Sequence, residues 1–125
     1  AVADYRPESV SDAKIKKDQQ GDELALRLVR NPDVLAELSA ASVPGRTVIG
    51  FAAETEADDD ALLELGRTKI ARKGCDFLVV NRVGWTEGFA TEGNAVVIVS
   101  RGGDIVTRAD GTKREVADAI LDLLG

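Results

Sequence analysis

The chain has 125 residues, 44% hydrophobic and 30% charged, a balance that fits one folded domain and excludes a disordered tail or a membrane-embedded chain. Lysine and arginine number 16 against 22 acidic residues; the net charge of -6 argues against a broad nucleic-acid face, although a few clustered lysines suffice for a small anion. With no histidine and a single cysteine, Cys75, the chain has no His-based catalytic dyad or triad, no His or multi-Cys zinc site and no internal disulfide.

The opening Ala1-Val2-Ala3-Asp4-Tyr5 reads as the last residues of a buried strand, with no signal-peptide pattern, and suggests a piece of something longer. Asp12 to Gly21 is polar and lysine-bearing, which predicts a loop. From Glu23 to Val29 the chain alternates, with Leu24, Leu26 and Leu28 on one face, and predicts a half-buried strand. Asn31-Pro32-Asp33 then starts a helix, with Asn31 as N-cap, Pro32 at the first helical position and Asp33 complementing the dipole. Val34, Leu35 and Leu38 form that helix's apolar face, and Pro44-Gly45 ends it.

Thr47 to Ala53 is continuously apolar and predicts a strand buried on both faces. The acidic stretch Glu54 to Asp60 leads into a helix over Ala61 to Lys73, stopped by Gly74. Asp76 to Asn81 predicts a second buried strand, with Cys75 a small buried residue before it. Asn94 to Ser100 and Asp104 to Arg108, joined by Arg101-Gly102-Gly103, read as a hairpin. Glu115 to Leu124 closes the chain as an amphipathic helix through Val116, Ile120 and Leu123. This βαβ rhythm predicts an α/β fold: a Rossmann-like, mostly parallel sheet with helices on both faces and an added antiparallel hairpin. Ligands in such sheets collect at the carboxyl ends of the strands, where Asp4, Glu54, Thr55 and Asn81 stand.

Several groups are candidates for chemistry. In Lys14-Ile15-Lys16-Lys17, two lysines project the same way from an extended chain and fit a polyphosphate; a solvated basic loop is the plainer alternative. Lys69 and Lys73 are an i,i+4 pair on one helical face, which also suits the macrodipole, since acids crowd that helix's start and bases its end. The Asn31 to Val34 turn is a helix start and a potential phosphate contact. Phe51, at a strand of small residues, is either a core side chain or a face for a nucleobase. Trp85 and Phe89 lie in a Gly-containing loop that suits a hydrophobic patch or a partner surface. The chain has no Walker-type loop and no G-x-G-x-x-G.

AVADYRP at 1–7, KIKK at 14–17, GDELAL at 21–26, NPDVLA at 31–36, GFAAET at 50–55, K-x-x-x-K at 69–73 and DFLVVN at 76–81 together resemble the phosphopantothenoylcysteine synthetase domain. In bacteria that domain is commonly the C-terminal half of a bifunctional coenzyme A biosynthesis protein, whose other half is an FMN-dependent decarboxylase. The likeness spans nearly the whole of 1–125, matching the later part of the domain, and loosens to hydrophobic pattern from Gly84 onward.

The resemblance implies a cytoplasmic ligase. The carboxylate of 4'-phosphopantothenate attacks the α-phosphorus of CTP, with magnesium on the triphosphate, and cysteine then displaces CMP from the acyl-cytidylate. It also implies roles residue by residue. Lys14 would stabilise the departing pyrophosphate as the catalytic cation. Asp4, Asn31, Pro32, Asp33, Val34, Phe51, Lys69 and Lys73 would bind the nucleotide, and Ala1 and Asn81 would lie toward phosphopantothenate. A homodimer would form through 94–108, and FMN would belong only to a decarboxylase half outside this chain. Two other readings stay open: a non-catalytic nucleotide-binding or dimerisation fragment, and a homologue that uses ATP.

Overall fold

The computed structural model describes residues 2–16, 22–41, 43–83 and 93–125, and the chain divides into two compact units, Ala1–Val34 and Leu35–Gly125. In the N-terminal unit, β1 (Tyr5–Pro7) pairs antiparallel with β2 (Leu28–Arg30), Tyr5 opposite Arg30 and Pro7 opposite Leu28. Main-chain bonds extend the ribbon at each end: Glu8 N–H donates to the Arg27 carbonyl (2.9 Å) and Asn31 N–H to that of Asp4 (2.8 Å). The half-buried strand expected over Glu23–Val29 is reduced to Leu28–Arg30, and Leu24, Leu26 and Leu28 are exposed. The opening segment is likewise a surface ribbon and not the end of a buried strand. The physical reason is size: among the described residues, so short a two-stranded unit has no second apolar layer to cover either face. Residues 12–16 form neither helix nor strand, as the loop reading anticipated; 17–21 lie outside the described residues.

The helix expected after Pro32 is α1 (Val34–Ala40), beginning at the boundary of the larger unit. Then follow β3 (Ile49–Glu54), α2 (Asp59–Lys73), β4 (Phe77–Arg82), β5 (Gly93–Ser100), β6 (Ile105–Thr112), α3 (Lys113–Leu121) and a 3₁₀ turn, Asp122–Leu124. The sheet order is β3-β4-β5-β6. The class is α/β, as expected, and the sheet is mixed. Only β3 and β4, joined through the α2 crossover, run parallel; β4/β5 and β5/β6 are antiparallel. The parallel share is thus smaller than the sequence rhythm suggested, because a parallel pair needs a helical crossover and the described unit holds one such crossover.

Alternation along β4 assigns the two faces. Leu78 and Val80 pack toward α2 with Ala52, Leu62, Ile70, Cys75 and Val99, while Val79 packs with Val96, Ile98 and the α3 residue Val116. Helices therefore cover both faces, as the sequence predicts. Close approach of α2 depends on Gly66, where a Cβ would lie 2.9 Å from Val80 Cγ2.

α2 starts two residues before the expected Ala61 because Asp58 caps it, accepting from the Ala61 N–H at 2.8 Å. Gly74, at φ +71°, ends it. α3 begins at a reciprocal cap: Thr112 N–H donates to Glu115 Oε2 (2.8 Å), and Glu115 N–H to Thr112 Oγ1 (3.3 Å). The hairpin outgrows its predicted limits, and the predicted closing helix ends in the 3₁₀ turn.

Candidate functional site

In the larger unit, charged and amide side chains gather at the carboxyl ends of β3 and β4. Glu54 is the last residue of β3, and its carboxylate accepts from Lys69 Nζ on α2. Its side chain is only 16% exposed, so the ammonium offsets part of what burying a carboxylate costs. Arg82, the last residue of β4, pairs with Asp59 and donates from Nε to the Glu56 carbonyl at 3.0 Å. The Arg82 guanidinium holds the Asp59 carboxyl below the ordinary aspartate range.

The start of α2 is the end where a helix favours an anion, but here it is a row of acids: Asp58 is the cap and Asp59 and Asp60 follow. A phosphate finds no welcome there. The cations lie farther along α2, at Arg67, Lys69, Arg72 and Lys73. Lys69 reaches Glu54 and so presents its ammonium at the carboxyl end of β3; Lys73 is half-buried.

Phe51 is 68% exposed, which corrects both the core reading and the expectation of a strand buried on both faces. It shares a sheet face with Val79 and Ile49, the side that α3 packs on. α3, however, packs on β5 and β6, and among the described residues nothing covers Phe51 on the β3 part of that face. Phe51 and Lys69 thus lie on opposite faces of the sheet. A nucleotide touching both has to pass around β3, which is an edge strand.

Asn81 also lies on the α3 face, opposite Val96 in the register. Two residues before Val96 on β5 stands Asn94, on the same face and paired with Gly111. Asn81 Oδ1 and Asn94 Nδ2 are both shut off from solvent without a hydrogen-bond partner.

In the N-terminal unit, the Asn31 side chain does not cap α1. Nδ2 donates to the Ala3 carbonyl (2.7 Å), and Oδ1 accepts from Arg6 Nη1 (3.0 Å). The reason is that α1 begins at Val34, three residues on, and the β1–β2 ribbon places main-chain and guanidinium partners closer to Asn31. Pro32 accordingly precedes the helix and does not open it. Asp4 is exposed and its carbonyl anchors Asn31; Pro32, Asp33, Val34 and Lys14 are exposed. Ala1, Lys17, Trp85 and Phe89 lie outside the described residues. The structure thus ties Asp4 to Asn31 in one unit; in the other it brings the Lys69 ammonium and Asn81 to the ends of β3 and β4 and leaves Phe51 mid-strand on the face opposite Lys69.

Sequence reasoning missed Glu54 as the partner of Lys69, although its place at a strand end was visible. It also missed Asn94, whose signal was a lone amide at the head of the apolar run Ala95 to Val99.

The family model for the DNA/pantothenate metabolism flavoprotein C-terminal domain matches residues 1–125. The chain belongs to this family. It is 41% identical over 130 residues to the coenzyme A biosynthesis bifunctional protein CoaBC of Mycobacterium tuberculosis, covering 99% of this chain and 31% of that protein. The Escherichia coli protein of the same name is 42% identical over 108 residues, covering 85% of this chain and 26% of the relative. The chain therefore spans a third or less of these curated relatives. A solved DNA/pantothenate metabolism flavoprotein from Streptococcus pneumoniae superposes with a TM-score of 0.69 at 20% identity, over 99% of this chain and 56% of that one, and shares the fold.

The family's description implies a flavin. The described residues do not fit one: the β3–α2 junction, where a strand–helix turn would take its phosphate, is the acidic row ending in Asp58, Asp59 and Asp60. Among the described residues, no group of three or more His, Cys, Asp or Glu side chains is placed to hold a metal ion.

Proposed function

We propose that this family member serves the ligase step of coenzyme A biosynthesis, joining 4'-phosphopantothenate to cysteine with CTP. The observation that carries the reading is the match along 99% of the chain to a protein named for coenzyme A biosynthesis. The chemistry of the residues supports the ligase over a flavin reaction, since the chain offers an exposed Lys14, a helical Lys69 that reaches the end of β3, and an acidic turn where a flavin phosphate would sit. Phosphoryl transfer asks mainly for positioning and charge neutralisation, which lysines supply without histidine.

In this reading the substrate carboxylate forms a bond to the α-phosphorus of CTP as the bond to pyrophosphate breaks. The amine of cysteine then attacks the acyl carbon, loses a proton and releases CMP. Lys14 stabilises the charge on the departing pyrophosphate. Lys69 and Lys73 bind nucleotide phosphates, Phe51 offers its exposed ring to the base, and Asp4 with the Asn31–Val34 turn contacts the nucleotide. Ala1 and Asn81 belong to the phosphopantothenate side. Magnesium enters on the triphosphate, and the flavin belongs to another part of the bifunctional relatives.

The hairpin 94–108 is the proposed homodimer contact; its outer strand β6 leaves Ile105 and Val106 exposed. Light scattering of the full-length protein tests it, and a monomer at high concentration refutes it. The ligase reading is tested by pyrophosphate release from the full-length protein given 4'-phosphopantothenate, cysteine and either CTP or ATP. Release that requires phosphopantothenate and CTP supports it. Release only with ATP favours the ATP-using alternative, and none with either refutes catalysis.

A further inference from the structure

Glu54 and Lys69 make an unequal pair. The carboxylate stands on the last residue of β3, whose main chain is held to β4: Glu54 lies in register with Arg82, and its carbonyl accepts from the Val83 N–H at 2.8 Å. The Glu54 side chain is 16% exposed and that of Lys69 34%. Arg82, the neighbour of Glu54 on the same sheet face, is committed to Asp59 and the Glu56 carbonyl. The acid is thus the drier and more rigid end of the pair. The ammonium, on a long flexible stem from α2, is the end that solvent reaches.

From this we infer that Glu54 is a positioning residue for nucleotide binding: it holds the Lys69 ammonium at the carboxyl end of β3 and acts on the phosphates only through that lysine. A lysine side chain left free samples many rotamers, and ordering it on binding weakens affinity. Anchored to a strand-end carboxylate, it is ordered during folding instead. An ammonium carries more donors than one carboxylate contact uses, so donors remain for a phosphate oxygen. The acid also lies behind the cation as the more buried partner, and an anion arriving from solvent meets the ammonium first.

The assignment rests on the reading of Lys69 as a phosphate ligand. It adds Glu54, which touches no substrate, to the residues that decide CTP affinity.

The test is a double-mutant cycle in the full-length protein, read as KM and kcat for CTP and as melting temperature. Glu54→Gln is expected to raise the KM about fivefold, the effect of ordering one long side chain on binding, with kcat within about twofold of wild type. With Lys69→Gln already in place, Glu54→Gln should leave the KM where Lys69→Gln alone put it. It should nevertheless recover melting temperature, since no buried carboxylate then lacks its cation. A KM at or below the wild-type value in Glu54→Gln overturns the assignment, and so does a loss confined to kcat. A further rise in KM in the double variant also overturns it, because Glu54 then acts other than through Lys69. Glu54→Asp keeps the charge and draws the carboxylate back by one methylene; it should raise the KM about threefold. A wild-type KM in Glu54→Asp overturns the assignment even where Glu54→Gln does not fold. A wild-type KM in Lys69→Gln overturns the positioning role and the phosphate role of Lys69 together, whereas a raised one beside an unchanged Glu54→Gln removes Glu54 alone.

Discussion

The two units make opposite use of apolar sequence. In Leu35–Gly125, the alternating residues of β4 and β5 are buried from both sides, and Leu78, Val79, Val80, Ile98 and Val99 are each at most 1% exposed. In Ala1–Val34, the alternation Leu24, Leu26, Leu28 is equally regular but lies on the surface. Regular alternation therefore marks a face capable of burial; an opposing layer decides whether burial happens. The N-terminal unit nonetheless carries Asp4, Lys14 and the Asn31–Val34 turn, the greater part of the proposed nucleotide contacts by motif. One unit supplies the packing, the other a surface of polar side chains on a ribbon held by main-chain bonds and side chains such as Asn31.

The largest expected effect tests that contrast. Leu78→Ala should lower unfolding stability by about 2–5 kcal/mol in denaturant titration, whereas Leu26→Ala should stay within about 0.5 kcal/mol. A comparable loss at Leu26 would mean that the N-terminal unit has a core after all. A second break concerns chemistry without stability. Lys14→Gln in the full-length protein should slow acyl-cytidylate formation about a hundredfold, an effect of roughly 3 kcal/mol on the barrier, with CTP affinity and melting temperature nearly unchanged. Near-normal turnover, or weaker CTP binding as the only defect, would remove Lys14 from catalysis.

Lys69→Gln and Lys73→Gln should each raise the KM for CTP about tenfold, the size of one lost charge-assisted contact; Lys73→Gln should keep its melting temperature, and Lys69→Gln should lower it because Glu54 loses its cation. If both variants bind CTP like wild type, the α2 face is not the nucleotide face. Wild-type affinity in Lys69→Arg, with the defect retained in Lys69→Gln, would show that charge and not shape matters there.

The smallest effect is acid sensitivity. Among the described residues of the larger unit, two carboxyls sit below their ordinary pKa: Asp59 through Arg82, and Glu115 through the Thr112 N–H and hydroxyl. A depressed carboxyl stabilises the fold above its unfolded pKa and loses that contribution as pH falls through the folded value. The unfolded references are 3.8 for Asp59 and 4.5 for Glu115. Stability is therefore expected to be flat from these two groups above about pH 5 and to decline below about pH 4. Glu115→Gln should flatten part of the decline in pH-dependent thermal melts; an unchanged profile would mean that the cap does not persist in solution.

Much of the larger unit was legible because its signals are local. A β-branched run, an acidic helix start with a basic end, and a Gly stop define β3, α2 and β4 within a few residues. The lysines at 69 and 73 were legible as a pair for the same reason, since helical spacing alone puts them on one face. Asn31 was misread because its local signal, a polar residue before proline and aspartate, is the same for a helix cap and for a ribbon anchor. Partners distant in sequence, Ala3 and Arg6, made the choice. The choice between a core and an exposed Phe51 was not legible, because an apolar residue in an apolar strand carries no mark of which face stays uncovered.

The sequence by itself determined the α/β class, the element order and the residue types available for chemistry, because period, caps and composition act over a turn or two of chain. Only the tertiary structure decided that α3 packs on β5 and β6 and leaves Phe51 exposed, that Glu54 holds Lys69, and that Asn81 and Asn94 from different strands share one sheet face. Those outcomes depend on strand register and on which layer packs where, and both are set by groups tens of residues apart.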